Sequence, residues 1–163
     1  MKVAIAFALW SVVIVSTSAS QAAPAATAHE IDRDVWSVLI ATVAADDIVG
    51  MGATYHPDAV LVSPTGTTAI KDTLARWGRD MVAAKARADK ATVEFRYSRR
   101  QDDATTAFEA GIFKYTVISK SGVSTPKFYP FEMLLGKTGG KWRVLMERQF
   151  AEVTQDAWDK LPK

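Results

Sequence analysis

Between residues 31 and about 87 the apolar positions recur at three- and four-residue spacing. Ile31, Val35, Val38, Leu39, Thr42 and Val43 share one stripe, and Ile70, Leu74, Trp77 and Met81 share another. That spacing predicts core-facing helices. Asp46 and Asp47 interrupt the first stripe, and Asp47 ahead of Ile48 and Val49 reads as the N-cap of a short second helix ending near Tyr55. His56, Pro57 and Asp58 predict a turn and residues 59–63 a short strand; Pro64, Thr65 and Gly66 turn the chain again, with Thr68 as N-cap of a third helix. After Lys90 the period becomes two. Residues 92–100, 107–118, 127–135 and 142–150 read as four long strands, separated by turns at Asp102-Asp103, Ser121-Gly122 and Gly136 to Gly140. Helices followed by a meander predict an α+β domain rather than a doubly wound α/β sheet. The tail after Glu152 reads as a loose turn of helix.

The first segment reads differently. Lys2 precedes an apolar run over residues 3–15, which gives way to Ser16, Thr17, Ser18, Ala19 and Ser20. This is the order of a secretory signal, and a run of about 13 residues falls short of the ~20 that a single-pass anchor needs. Ser20-Gln21-Ala22 is the best cleavage site, with cutting before Ala23. The expected organisation is a signal over 1–22, a flexible lead-in over 23–30, a domain over 31–150 and a tail over 151–163. A periplasmic or secreted location follows from it, with no membrane attachment after cleavage. The 163 residues contain no cysteine and two histidines. Disulfides, thiolate zinc sites and thiol nucleophiles are therefore excluded, and a catalytic zinc is hard to assemble. Twenty basic against 18 acidic side chains, evenly scattered, do not make a nucleic-acid surface.

The stretch from Asp47 through Tyr55, Asp58-Ala59-Val60-Leu61-Val62 and Pro64-Thr65-Gly66 resembles the opening of the NTF2-like superfamily. Ile70 and Trp77, together with Gly139-Gly140-Lys141-Trp142-Arg143-Val144, extend that resemblance over about residues 31–150. More narrowly, the chain resembles small exported SnoaL-like or DUF4440-type proteins. The resemblance implies an NTF2-like (cystatin-like) cone, in which N-terminal helices pack on a strongly bent antiparallel sheet around an apolar pocket. It also implies a homodimer through the outer sheet face. The ketosteroid isomerase branch needs a carboxylate base, a tyrosine and a protonated acid. By that resemblance Ser63 holds the place of the base and Leu39 that of the tyrosine, and only Glu132 matches, at the place of the neutral acid. The isomerase reaction is therefore disfavoured.

Glu132 lies in an otherwise apolar strand, which makes it the candidate acid or base of the pocket, with Arg148 and Glu147 as its nearest partners across the last hairpin. Tyr55, Ser63, Trp77, Tyr115 and Arg148 join it as candidate ligand-binding residues. Glu109, flanked at two-residue spacing by Ala107 and Gly111, reads as solvated or salt-bridged, and Arg99 and Arg100 as a solvated strand edge. His56 beside Asp58 and Ser63 lacks a Gly-x-Ser-x-Gly elbow and reads as a solvated turn residue. His29 with Glu30, Asp32 and Asp34 is weak as a metal cluster, and Gly50-Met51-Gly52 lacks the third glycine of a dinucleotide site, so no metal or cofactor is expected. Three functions remain: binding of a small, largely apolar molecule; a lyase or isomerase using Glu132 with Tyr55 or Ser63; and a homodimeric interaction module.

Overall fold

A computed structural model describes residues 24–162. The segment read as a signal, residues 1–22, and its cleavage site before Ala23 lie outside the described residues. Helix α1 (Pro24–Ile31), a wider π turn (Asp32–Trp36) and helix α2 (Ser37–Ala45) follow one another without a break. The expectation of a flexible lead-in is thereby corrected. Thr27 is buried, and Glu30 accepts hydrogen bonds from Lys137 Nζ at 2.6 Å and Trp142 Nε1 at 3.1 Å. Asp34 accepts from the Trp142 backbone N–H at 3.2 Å, so this end of the helical run is fastened to the last hairpin.

Asp46 ends α2 in the left-handed conformation (φ 55°), and Asp47 caps α3 (Ile48–Gly52) by accepting from the Gly50 N–H at 2.8 Å. A side chain at Gly50 would collide with that Asp47 carboxylate, so the glycine belongs to the cap. Strand β1 (Tyr55–Ser63) begins earlier than its composition predicts, because its pairing with β6 starts at Tyr55 and resumes at Val60, with residues 56–59 as the irregular stretch between. Strand β2 (Gly66–Ala69) returns beside β1 and leads into helix α4 (Ile70–Ala86). Thr68, the expected N-cap, lies in β2 instead and meets the Thr73 hydroxyl at 2.9 Å.

The long strands β3 (Lys90–Asp102), β4 (Thr106–Ile118), β5 (Ser124–Thr138) and β6 (Lys141–Gln149) form the expected antiparallel meander. The sheet order is β2-β1-β6-β5-β4-β3, with β1 parallel to β6, so the sheet has six strands and one parallel pair. Helices α2 and α4 lie against its inner face. Trp36 stands at the centre of the core, with ring centroids 4.6 Å from Phe95, 5.3 Å from Tyr97 and 5.5 Å from Phe131.

Two bulges break the strand alternation. In β3 the register slips between Tyr97 and Arg99, and in β6 Val144 and Met146 oppose the adjacent residues Leu135 and Leu134, leaving Leu145 as the extra residue. Each bulge moves the residues beyond it to the other face. Arg100 is thereby delivered to Glu109 at 2.9 Å and to Asp32 at 2.6 Å, rather than standing at a solvated edge. Glu109 is 1% exposed and also accepts from Trp36 Nε1 at 2.5 Å; of the two readings of this residue, the salt bridge holds, inside the core. Gly111 permits the close approach of strands here, since a Cβ would stand 2.0 Å from the Arg96 carbonyl oxygen.

The C-terminal tail is docked rather than loose. Helix α5 (Gln155–Asp159) lays Trp158, 4% exposed, on Ile112 and Phe128 of the outer sheet face, while Arg96 donates to the Trp158 carbonyl at 2.9 Å. The apolar outer face expected to seat a second copy is therefore partly covered by the chain itself. Trp158→Ala is expected to cost about 3 kcal/mol in urea denaturation, in line with loss of a buried aromatic ring. A loss below about 0.5 kcal/mol would show that the tail does not contribute to folding.

Candidate functional site

A cavity of about 560 Å³ opens between the helices and the inner face of the sheet. That size suits a small organic molecule. Leu39, Val93, Phe95, Phe113 and Met133 contribute apolar wall, and Trp77 and Met81 of α4 border it from the helical side. Asp46, Arg76, Asp80, Arg87 and Lys90 place charges of both signs around it. Tyr115 also lines the cavity; burial raises its pKa, and the negative charges of Asp46 and Asp80 add to that effect.

Of the residues singled out in the sequence, Tyr55, Trp77 and Tyr115 line this cavity, and Ser63, Glu132 and Arg148 do not. Glu132 sits directly across from Arg148, and their side chains approach to 3.7 Å while both remain substantially exposed, 34% and 50%. Its neighbours Phe131 and Met133 take the inner face, and strand alternation sends Glu132 outward. The expectation of an acid inside the pocket at position 132 is thus corrected. Ser63 is engaged in the β1–β2 turn, with its hydroxyl 3.0 Å from that of Thr65 and 3.2 Å from the Gly66 carbonyl. His56 accepts from the Asp58 N–H through Nδ1 at 3.2 Å, a local turn contact.

The buried acid that faces the cavity is Glu147. It is 3% exposed, and its carboxylate accepts from the Tyr55 hydroxyl at 2.6 Å on one oxygen and from Gln149 Nε2 at 2.6 Å on the other. Glu147 and Gln149 both line the cavity, brought inward by the β6 bulge. Among the described residues no cation pairs with Glu147. Burial pushes its carboxyl above the ordinary value, against the opposing effect of its two donors, and burial beside this acid raises the Tyr55 hydroxyl well above its own ordinary value. A strictly alternating strand starting at Trp142 would point Met146 and Arg148 inward, which hides Glu147 from a sequence reading. The signal available was the run Val144-Leu145-Met146, three apolar residues in succession where alternation calls for a polar one.

What this arrangement can do chemically is limited and specific. A carboxyl group in an apolar cavity offers a hydrogen bond or a proton to one polar group of a guest, and Tyr55 holds it in place. Among the described residues no cluster of three or more metal-ligating side chains is present, and Glu30, Asp32 and Asp34 each engage partners of their own.

Because burial holds Glu147 above its ordinary value of 4.5, the native state takes up this proton before the unfolded chain does. The stability it contributes is complete at acid pH and is lost as pH rises through the folded value. Glu147→Gln is therefore expected to exceed the parent in stability by about 0.5–2 kcal/mol at about pH 8, with the difference closing below about pH 4. Denaturant titrations across that range check this, and a pH-independent difference would contradict it.

No family model matches the chain, and no curated protein is significantly similar to it. Solved structures do match. An NTF2-like protein from Shewanella oneidensis aligns with a TM-score of 0.62 at 14% identity, covering 77% of this chain and 99% of that one. A nuclear transport factor 2-like superfamily protein from Salmonella enterica gives 0.62 at 12% identity, covering 78% and 92%. A ketosteroid isomerase-like protein from Erwinia carotovora gives 0.54 at 22% identity, covering 77% and 98%. At these identities the likeness speaks to architecture. The helices on a curled six-stranded sheet, the cavity between them and these neighbours together establish that the chain has the NTF2-like, cystatin-like fold.

Proposed function

We propose that the protein is exported and binds a small, largely apolar molecule in the cavity, with one polar group of the guest held on the Glu147–Tyr55 pair. The observation that carries this reading is a buried carboxyl group on the wall of a cavity whose lining is mainly aromatic and aliphatic. An interior built only for stability would fill such a space and avoid an acid without a countercharge. Export rests on the sequence of residues 1–22, and N-terminal sequencing of secreted protein starting at or near Ala23 is its test.

Binding is tested by native mass spectrometry of protein taken from its own periplasm, followed by titration of the recovered guest. Glu147→Leu is expected to weaken that guest by about 1–3 kcal/mol, because the guest's polar group and Tyr55 lose their partner. Glu132→Leu, on the outer face, is expected to leave affinity unchanged. Equal loss in both variants would refute the assignment of the polar group to Glu147.

The raised carboxyl of Glu147 favours a second reading, proton transfer on a bound carbonyl compound in the manner of a lyase or isomerase, with Glu147 rather than Glu132 as acid or base. It does not extend to ketosteroids. Leu39 has no donor and the Ser63 hydroxyl is engaged in its turn. Loss of one oxyanion donor alone costs on the order of 10²–10³ in turnover. Incubation with a Δ5-3-ketosteroid should therefore give no conversion above the buffer rate. As to assembly, a homodimer would use the part of the outer face left open by α5, around Leu134, where Glu132 and Arg148 offer complementary charges to a second copy. A mass independent of concentration and equal to one chain in light scattering would exclude it.

A further inference from the structure

Glu147 differs from the other buried acid of this protein in what surrounds it. Glu109 is met by the guanidinium of Arg100, and the less buried Glu30, Asp32 and Glu132 have Lys137, Arg100 and Arg148 respectively. Glu147 has two neutral donors and, among the described residues, no cation. A carboxylate offers about four acceptor positions, and Tyr55 and Gln149 occupy two of them. The remaining positions and the missing countercharge are open to whatever enters the cavity.

The walls add a second, independent preference. Phe95, Phe113, Tyr115, Tyr129 and Trp77 present aromatic rings to the same space, and aromatic faces attract cations through the ring quadrupole. Asp46 and Asp80 bring negative charge close enough to act on Tyr115. The basic groups bordering the cavity, Arg76, Arg87 and Lys90, are exposed to solvent and screened, as Asp80 is, whereas Asp46 is half-buried and its charge is screened less.

We propose that the guest is a protonated amine on an apolar body, its ammonium paired with the Glu147 carboxylate and its body against the aromatic walls. This inference rests on the binding reading above and adds the chemical class of the guest. A neutral alcohol of the same shape would supply a donor without the charge. A carboxylic acid, ionised at neutral pH, would be repelled by the same floor.

The test is calorimetric titration of the full-length mature protein at neutral pH with three probes of similar size: 2-phenylethylamine, 2-phenylethanol and 3-phenylpropanoate. The amine is expected to bind about tenfold tighter than the alcohol, and the acid more weakly than either. Glu147→Gln is expected to bring the amine to within about threefold of the alcohol. An alcohol that binds as well as the amine, or an amine preference that survives in Glu147→Gln, overturns the proposal while leaving the cavity a binding site. Failure of all three probes to bind overturns this proposal and counts against the binding reading as well. Since the comparison of amine with alcohol is made in the parent protein, it stands even if the variant does not fold.

Discussion

A carboxylate withdrawn from water needs donors or a countercharge, and the interior of this protein holds two such groups, answered in different ways. Glu109 is satisfied by the Arg100 guanidinium and the Trp36 indole, and Arg100 reaches on to Asp32 in the π turn. That chain of contacts joins the N-terminal helical run to β3 and β4 through one guanidinium shared by two carboxylates. Glu147 receives only a phenol and an amide. The first arrangement holds structure together, because removing either partner strands a buried charge. The second leaves part of the acid's capacity unspent at the edge of a cavity.

Both arrangements depend on one inserted residue in a strand. Without the slip near Ser98, Arg100 would share the outer face with Arg96, and without Leu145 the Glu147 carboxylate would point away from Tyr55. A bulge is a local disruption of the ladder, and here each one turns a polar side chain toward a waiting partner. Tyr55 stands ready because β1 runs parallel to β6 and pairs it with Val144 before the register breaks over residues 56–59. The same irregularity brings Leu61 beside Glu147, so the acid is closed off from solvent on the β1 side by an apolar residue.

The outer face is organised by opposite means. There the alternation in β5 is undisturbed, and Phe128, Pro130, Glu132 and Leu134 follow one another away from the core. The tail covers the Phe128 end through Trp158, over which the Arg96 guanidinium stacks at 4.5 Å. The Glu132–Arg148 pair marks the more polar remainder. A surface ion pair of this kind contributes little to stability and serves chiefly to keep the face soluble or to orient a neighbour.

The class and order of the elements are legible in the chain alone. Helical spacing up to Arg87 and twofold spacing after Lys90 are local properties of the chain, as are the Asp47 cap and the glycine turns, and the residues at 47–66 and 139–144 sufficed to recognise the architecture. Tyr55, Trp77 and Tyr115, candidate ligand-binding residues from the sequence, line the cavity. Which buried acid faces inward is set by strand pairing. Period two assigns a face only while the count is unbroken, and the count breaks at Leu145, where cross-strand pairing with Leu134 and Leu135 skips a residue. A bulge is chosen by what both strands gain from it, including a Tyr55 hydroxyl 92 positions away in the chain, and that gain exists only once the sheet has closed. In the linear sequence Glu132 stands out as the acid and Glu147 only as its neighbour across the hairpin; the geometry of that hairpin sends the first to solvent and the second into the cavity.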